Sequence, residues 1–127
     1  MILGLGTDLV EIPRIERALS RFGERFAKRI LADSEFLEYA SNARPAAFLA
    51  KRFAAKEAFS KAMGTGLRFP VRWRHIIVGH DRLGKPELHY SRDLQPLIDA
   101  KDCRAHISIT DERSIACAFV VLESLSR

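Results

Sequence analysis

The stretch PAAFLAKRFAAKEAFSKAM, residues 45–63, predicts one long, alanine-rich helix. Pro45 is tolerated in the first turn of a helix, where a missing backbone N–H leaves no hydrogen bond unmade. Gly64 and Gly66 follow directly, and glycine is a common residue at the C-terminal end of a helix. Most of the helix circumference is apolar, so we expect the rest of the fold to pack around it.

The segments on either side of this helix alternate between helical and strand patterns, with no visible domain linker. The pattern predicts a single α+β domain over residues 1–127, with an antiparallel sheet packed against the long helix. The other predicted elements are a strand at 2–10, a helix with Ile12, Ile15, Leu19 and Phe22 on its apolar face, a short helix capped by Asp33 or Ser34, strands at 73–79 and 87–90, a helix around 93–100, and a hairpin of 104–110 and 114–122.

Composition narrows the class of protein. The 127 residues carry a net charge of +5 and a pI near 9.6, which attracts nucleic acid, acidic protein or phosphorylated small molecules. The longest apolar run, residues 115–122, is too short to span a bilayer. No basic segment precedes Asp8 as it would in a signal peptide. We therefore expect a cytoplasmic protein without membrane insertion.

Cys103 and Cys117 are the only cysteines. A hairpin turn centred on residues 111–113 would place Cys103 opposite Val121 and Cys117 opposite Ile107. The two thiols should therefore remain reduced and unpaired.

Asp8 lies in an otherwise apolar predicted strand and shares one face of it with Gly4 and Gly6. A carboxylate in that position carries a desolvation cost unless another group pairs with it. The two glycines would let a ligand or another backbone approach closely. Alternatively, Asp8 ends the strand and caps the helix that follows.

Glu57 falls within the apolar sector of the long helix, near Ala46, Ala50 and Phe53. A carboxylate there is a poor candidate for a merely solvated charge, and the structural alternative is an ion pair with Lys61 one turn later. Two carboxylates with lysines nearby suit Mg²⁺, which takes one or two carboxylates, keeps several waters and completes its shell with substrate phosphates. The sequence therefore predicts a phosphoryl-transfer site.

A second polar stripe on the long helix contains Arg52, Lys56 and Ser60, each four residues apart. These side chains could follow phosphate groups. Alternatively, they form the solvent-exposed side of the helix. The stripe taken alone favours this second interpretation.

The first predicted helix has a continuous basic face of Arg14, Arg17, Arg21 and Arg25. An arginine stripe without an exposed aromatic suits an acidic protein helix better than single-stranded nucleic acid, where stacking platforms are expected. A solvated face is the simpler alternative.

His106, Ser108 and Thr110 alternate along one face of a predicted strand. Such a face is often exposed in an antiparallel sheet. If it faces a cleft instead, His106 could donate to a phosphate or ribose oxygen.

Several segments together resemble the holo-[acyl-carrier-protein] synthases, the small bacterial 4′-phosphopantetheinyl transferases. The resemblance covers nearly the whole chain, and its most specific part is the KEAxxK core joined to an N-terminal GxGxD. The similar segments are GLGTDLVEI (4–12), FAAKEAFSKA (53–62), GTG (64–66), LGKP (83–86) and HISITDE (106–112).

This resemblance implies transfer of the 4′-phosphopantetheine arm of coenzyme A to a serine of acyl carrier protein, with release of adenosine 3′,5′-bisphosphate. Asp8 and Glu57 match the family's Mg²⁺ ligands, and Lys61 matches the lysine near the pyrophosphate. Glu57, directly or through a metal-bound water, is the candidate base for the attacking serine. The expected substrate-binding residues are Arg44, Arg52, Lys56, Lys61, Gly64, Pro86 and His106.

The resemblance also implies a homotrimer with each active site at a subunit boundary, acting in fatty acid biosynthesis. Arg14 and Arg21, with Arg17 between them, match the positions where the family docks the acidic helix of the carrier protein. Two alternative functions remain open: a non-enzymatic nucleic-acid-binding domain, and a coenzyme A-binding regulator without turnover. The chain lacks a recognisable nucleic-acid motif, which counts against the first.

Overall fold

The computed structural model describes residues 1–126. Five strands and five helices make up the described chain, with one 3₁₀ turn at Trp73–His75. The strands are β1 (Ile2–Glu11), β2 (Ile76–His80), β3 (Pro86–Tyr90), β4 (Cys103–Glu112) and β5 (Ile115–Ser124), and the helices are α1 (Ile12–Phe22), α2 (Glu24–Ile30), α3 (Asp33–Ala40), α4 (Pro45–Met63) and α5 (Gln95–Lys101).

The strands form two antiparallel sheets. The larger sheet has the order β1-β5-β4, and β2 pairs with β3 in a separate hairpin. Because β1 pairs with β5, the first and the last strand lie side by side in this sheet. The predicted α+β class, with an antiparallel sheet against a long helix, is confirmed.

Helix α4 lies at the centre of the core. Leu49 and Phe59 on this helix are fully buried, as are Val120 and Leu122 on the facing strand β5. The alanines of α4 keep its surface shallow, so the sheet can approach closely enough to exclude water. An alanine-rich helix of this length is stabilised by such packing, because short helices are marginal in isolation.

The glycines of β1 set how closely that strand crosses α4. A Cβ atom on Gly4 would lie 2.0 Å from the carbonyl oxygen of Ala62, and one on Gly6 would lie 1.9 Å from that of Ala58. The sequence predicted that these glycines let either a ligand or another backbone approach closely, and the structure places the backbone of α4 against them. The same strand face continues to Asp8, which is thereby directed toward the helix.

The opposite face of the larger sheet is not covered by any element of residues 1–126. Leu5 and Leu9 of β1 are 59% and 69% exposed, and Phe119 of β5 is 44% exposed. The alternation predicted for β1 is therefore confirmed, but its glycine face is the one that packs against the core. Large exposed apolar patches of this kind mark interaction surfaces.

The hairpin of β4 and β5 differs in register from the prediction. Cys103 lies opposite Ser124 and Cys117 lies opposite Thr110, because the hairpin turns at residues 113–114, between the paired Glu112 and Ile115, rather than at the predicted centre of 111–113. Both cysteines are nevertheless free thiols, as predicted. Strand β2 also begins three residues late, since residues 73–75 form the 3₁₀ turn.

Three predicted helix features were wrong. Neither Asp33 nor Ser34 caps α3, whose N-cap is Ala32. Gly23, with φ of 65°, separates α1 from α2, so Arg25 lies on a different helix from Arg14, Arg17 and Arg21. Phe22, expected on the apolar face, is 54% exposed. Among residues 1–126, no helix is both long enough and apolar enough to cross a membrane.

Candidate active site

Asp8 and Lys61 meet where β1 crosses α4. The Asp8 side chain is 16% exposed, and its Oδ1 atom accepts a hydrogen bond of 3.1 Å from Lys61 Nζ. The same ammonium donates to the carbonyl oxygen of Thr7 at 2.9 Å. Strand β1 continues to Glu11, which is itself the N-cap of α1, so the alternative that Asp8 caps this helix is wrong.

Glu57 lies one helical turn before Lys61 and is half-buried. Its Oε2 atom accepts a hydrogen bond of 3.1 Å from Trp73 Nε1. The structural alternative of a Glu57–Lys61 ion pair is wrong within residues 1–126, because Lys61 pairs with Asp8 instead. The site therefore combines two carboxylates with one ammonium, and the ammonium is bound to only one of them.

The two carboxylates suit Mg²⁺ better than they suit a metal ion, such as structural zinc, whose ligands are all protein side chains. Within residues 1–126, no three His, Cys, Asp or Glu side chains gather as a structural zinc site would need. Asp8 and Glu57 supply two hard oxygen ligands, which leaves positions for water and for phosphate oxygens. The residues present thus suit a cation that is completed by its substrate.

The stripe of Arg52, Lys56 and Ser60 is buried, so the predicted solvent-exposed side is wrong. The Lys56 side chain is fully buried, and its Nζ donates to Glu35 Oε1 at 2.5 Å, to the Ile30 carbonyl at 2.7 Å and to the Trp73 carbonyl at 2.8 Å. All three N–H donors are thereby used within the protein. The assignment of Lys56 to substrate binding is therefore contradicted.

Glu35, which the sequence did not single out, holds this buried network together. Burial lowers the pKa of Lys56 to about 8, although the neighbouring Glu35 carboxylate acts in the opposite direction. Glu35 Oε2 also accepts from Arg52 Nη1 at 3.3 Å. Glu35 lies in a short helix with other acidic residues, and nothing in the sequence distinguishes this buried carboxylate from an acid on the surface.

Arg52 and Pro86 line a cleft of about 470 Å³ beside α4, together with Phe48, Lys51 and His80. Arg52 is only 5% exposed, and its guanidinium donates to Glu35, to Glu38 and to a backbone carbonyl. Any contact of Arg52 with substrate would therefore use the edge that faces this cleft.

Two of the remaining predicted substrate residues, Arg44 and His106, lie apart from Asp8 and Glu57 within one chain. Arg44 is the N-cap of α4, and thirteen residues at 1.5 Å each place it about 20 Å from Glu57 along the helix axis. Gly64 ends the same helix in a left-handed conformation, close to Lys61 in sequence. His106 lies on the uncovered face of the sheet, where its Nε2 is 3.0 Å from Glu123 Oε1.

Arg14, Arg17 and Arg21 are all exposed on α1, which begins four residues after Asp8. The basic face thus lies on the element that directly follows the carboxylate strand. Glu16 is also exposed on this helix, but it lies on a side of α1 away from the three arginines and leaves their positive stripe continuous.

Trp73 is the second residue that the sequence did not identify. It was predicted to lie in a strand, and nothing in its neighbourhood indicated a bond to Glu57. The clue that exists is compositional, since Trp73 is the only tryptophan of the chain.

The small α+β scaffold carries two carboxylates and an ammonium whose chemistry suits a cation and a phosphate-bearing substrate. Comparison with known proteins identifies the family. The model of the 4′-phosphopantetheinyl transferase superfamily matches residues 4–120. The chain therefore belongs to this superfamily, and the resemblance drawn from its motifs is confirmed.

Individual relatives agree over nearly the full length. A holo-[acyl-carrier-protein] synthase of Nitrosospira multiformis is 56% identical over 124 residues, covering 97% of this chain and 99% of the relative. The crystal structure of the synthase from Neisseria meningitidis has a TM-score of 0.95 at 48% identity, covering 98% of this chain and 100% of that one. The synthase from Bacillus anthracis, in complex with CoA (3′,5′-ADP), has a TM-score of 0.82 at 40% identity, with 98% of both chains covered.

Proposed function

We propose that this chain transfers the 4′-phosphopantetheine arm of coenzyme A to a serine of apo acyl carrier protein and releases adenosine 3′,5′-bisphosphate. The observation that carries the proposal is the contact of Asp8 with Lys61, one helical turn from Glu57, which joins the two segments with the most specific family motifs. Relatives that match this chain end to end are holo-[acyl-carrier-protein] synthases, and one of them binds coenzyme A.

Asp8 and Glu57 would hold Mg²⁺, as the sequence predicted. The ion would neutralise negative charge on the pyrophosphate while the phosphoryl group transfers. This assignment rests on the hard oxygen donors of the two side chains and on the open coordination positions that two ligands leave.

The protein residues would supply orientation and proton transfer. Lys61, whose side chain is 55% exposed, would release Asp8 and bind a pyrophosphate oxygen. Glu57 would accept the proton of the serine hydroxyl, directly or through a water. The serine oxygen then forms a bond to the phosphorus that carries the pantetheine arm, and the bond from that phosphorus to the oxygen of the departing nucleotide breaks.

The direct test is to mix the protein with coenzyme A, MgCl₂ and apo acyl carrier protein, and to measure the mass of the carrier protein. The proposal requires a mass increase equal to the phosphopantetheine arm. A regulator without turnover would bind coenzyme A and leave the carrier protein unchanged. A nucleic-acid-binding domain would give neither result.

We also propose that Arg14, Arg17 and Arg21 dock the acidic helix of the carrier protein. Their exposure on α1, close in sequence to Asp8, supports this role because the acceptor serine must reach the carboxylate site. Complementary surface charge mainly accelerates association and orients the partner.

Replacing both Arg14 and Arg21 with alanine should raise the KM for apo acyl carrier protein about 5- to 10-fold, because the attraction between the partners is weakened. The KM for coenzyme A should change little. Steady-state kinetics with each substrate varied in turn will measure both constants. Added salt should weaken binding of acyl carrier protein more for the wild-type protein than for the variant, since charges are screened beyond about 10 Å at 0.1 M.

Arg92→Ala is the matched control, because Arg92 is an exposed arginine in the loop before α5. It should leave both KM values unchanged. Equal increases in the two KM values for the α1 variant would contradict the docking role.

A homotrimer is the proposed assembly, formed through the uncovered face of the larger sheet. Leu5, Leu9 and Phe119 give that face an apolar centre, as expected of a surface that a second copy covers. Each active site would then lie at a subunit boundary, with Arg44 and His106 contributed by a neighbouring copy. That arrangement accounts for their distance from Glu57 within one chain.

Phe119→Lys should dissociate this trimer, because it places a charge in the apolar centre of the interface. Light scattering after size exclusion should change from the mass of three chains to the mass of one. Leu83→Lys is the matched control, since Leu83 is 96% exposed in the β2–β3 turn. A monomeric wild-type protein, or a trimeric Phe119→Lys variant, would refute the assembly.

Cytoplasmic location and participation in fatty acid biosynthesis complete the proposal. The two free, separated thiols support a reducing compartment. Acyl carrier protein as the acceptor would connect the reaction to lipid synthesis.

A further inference from the structure

Trp73 contacts the carboxylate that the proposed reaction depends on most. Its indole Nε1 lies 3.1 Å from Glu57 Oε2. An indole N–H can only donate a hydrogen bond, and it neither carries a charge nor titrates. It can therefore fix the orientation of Glu57 without competing with a cation for its negative charge.

Trp73 is itself held in place by the residue next to Glu57. Lys56 Nζ donates to the Trp73 carbonyl oxygen at 2.8 Å, and the Trp73 ring packs on Phe53 with 5.6 Å between ring centroids. Two consecutive residues of α4 thus bind opposite ends of Trp73: Lys56 binds its backbone and Glu57 binds its indole. Since Lys56 is fully buried and held by Glu35, the indole is anchored to the rigid core.

We propose that Trp73 is a positioning residue for Glu57, which fixes this carboxylate for the cation and for proton transfer. The inference rests on the proposed function, because it assigns a purpose to the orientation of Glu57. Groups that hydrogen-bond a metal ligand orient it, and their loss typically lowers metal affinity or activity 10- to 100-fold. A cation that binds Glu57 must also change the surroundings of the indole that is bonded to the same carboxylate.

Fluorescence provides a readout that is independent of turnover. Trp73 is the only tryptophan, so all indole emission of the protein comes from this site. Titration of the wild-type protein with MgCl₂ in the presence of coenzyme A should change the emission and saturate. The midpoint should agree with the Mg²⁺ concentration that half-activates transfer. Glu57→Gln should abolish or displace the response, whereas Asp99→Asn on α5 should preserve it.

Trp73→Phe separates positioning from packing, because it keeps an aromatic ring beside Phe53 and removes only the N–H donor. We expect the Mg²⁺ concentration for half-activation to rise about 10-fold. The KM for acyl carrier protein should remain unchanged, and a thermal melt will verify the fold. A purely structural Trp73 would lower the melting temperature without moving the Mg²⁺ midpoint.

The outcomes also separate this inference from the proposed function. Absence of pantetheine transfer by the wild-type protein would overturn the proposed function. Transfer that depends on Mg²⁺, together with an unresponsive indole or an unchanged midpoint in Trp73→Phe, would overturn the role of Trp73 alone.

Discussion

Glu57→Gln should reduce turnover of pantetheine transfer by about 100-fold or more, with little change in stability. Glutamine has nearly the same shape, and its carbonyl oxygen can still accept the hydrogen bond from Trp73 Nε1. What the substitution removes is the negative charge and the ability to accept a proton. A general base alone contributes about 10²- to 10⁴-fold, and weaker cation binding would add to the loss.

The experiment compares Glu57→Gln and Asp8→Asn with the wild-type protein across a titration of MgCl₂. Asparagine at position 8 can still accept the hydrogen bond from Lys61, so the local contacts survive. Both variants should lose most of the Mg²⁺-dependent transfer, measured as the mass change of the carrier protein. Asp99→Asn, on the exposed side of α5, is the control with the same change of chemistry. Near wild-type turnover in either active-site variant would contradict the metal assignment.

The sequence predicted the central helix well because its signals were local. Pro45 and Gly64 mark the ends that the structure has, and the apolar sector around Glu57 correctly indicated a half-buried carboxylate. Asp8 was identified by the glycines on its strand face. Those glycines are required because β1 crosses the backbone of α4 at very short distance.

The prediction that Arg52, Lys56 and Ser60 form a solvent-exposed side of α4 was wrong for a physical reason. Polar residues four apart on a helix read as a wet face, since charged side chains are rarely buried unless they are paired. Lys56 is buried because Glu35, twenty-one residues earlier in the chain, supplies the partner. A pairing between two distant segments leaves no trace in the spacing of either one.

The uncovered leucine face of β1 illustrates the same limit. Alternation predicted the two faces of this strand correctly, but it could not tell which face α4 covers. The packed face is the one with glycines, because the close approach of helix and strand outweighs the burial of leucine within one chain. Leu5 and Leu9 remain exposed, and their burial depends on the proposed trimer.

Glu35→Ala should lower the free energy of unfolding by about 3–5 kcal/mol, the range observed when one partner of a buried ion pair is removed. Glu35 is 1% exposed and accepts four hydrogen bonds, two of them from the cations Lys56 and Arg52 and two from backbone N–H groups. Its loss would leave the buried ammonium of Lys56 without a counter-charge. Small domains have only about 5–15 kcal/mol of stability in total, so this variant should unfold at low denaturant concentration.

Urea denaturation at one fixed protein concentration will measure the effect, since assembly makes apparent stability depend on concentration. Asp33→Asn is the control, because Asp33 is 99% exposed and pairs with Arg74 at 2.8 Å on the surface. That ion pair is solvated, so its loss should change the unfolding midpoint little. The double variant Glu35→Leu with Lys56→Met should recover part of the stability, because it removes both buried charges together. If Glu35→Ala unfolds at the same urea concentration as Asp33→Asn, the buried network does not stabilise the fold as described. A loss of stability confined to Glu35→Ala would instead show that the core anchoring Trp73, and through it Glu57, depends on a single carboxylate.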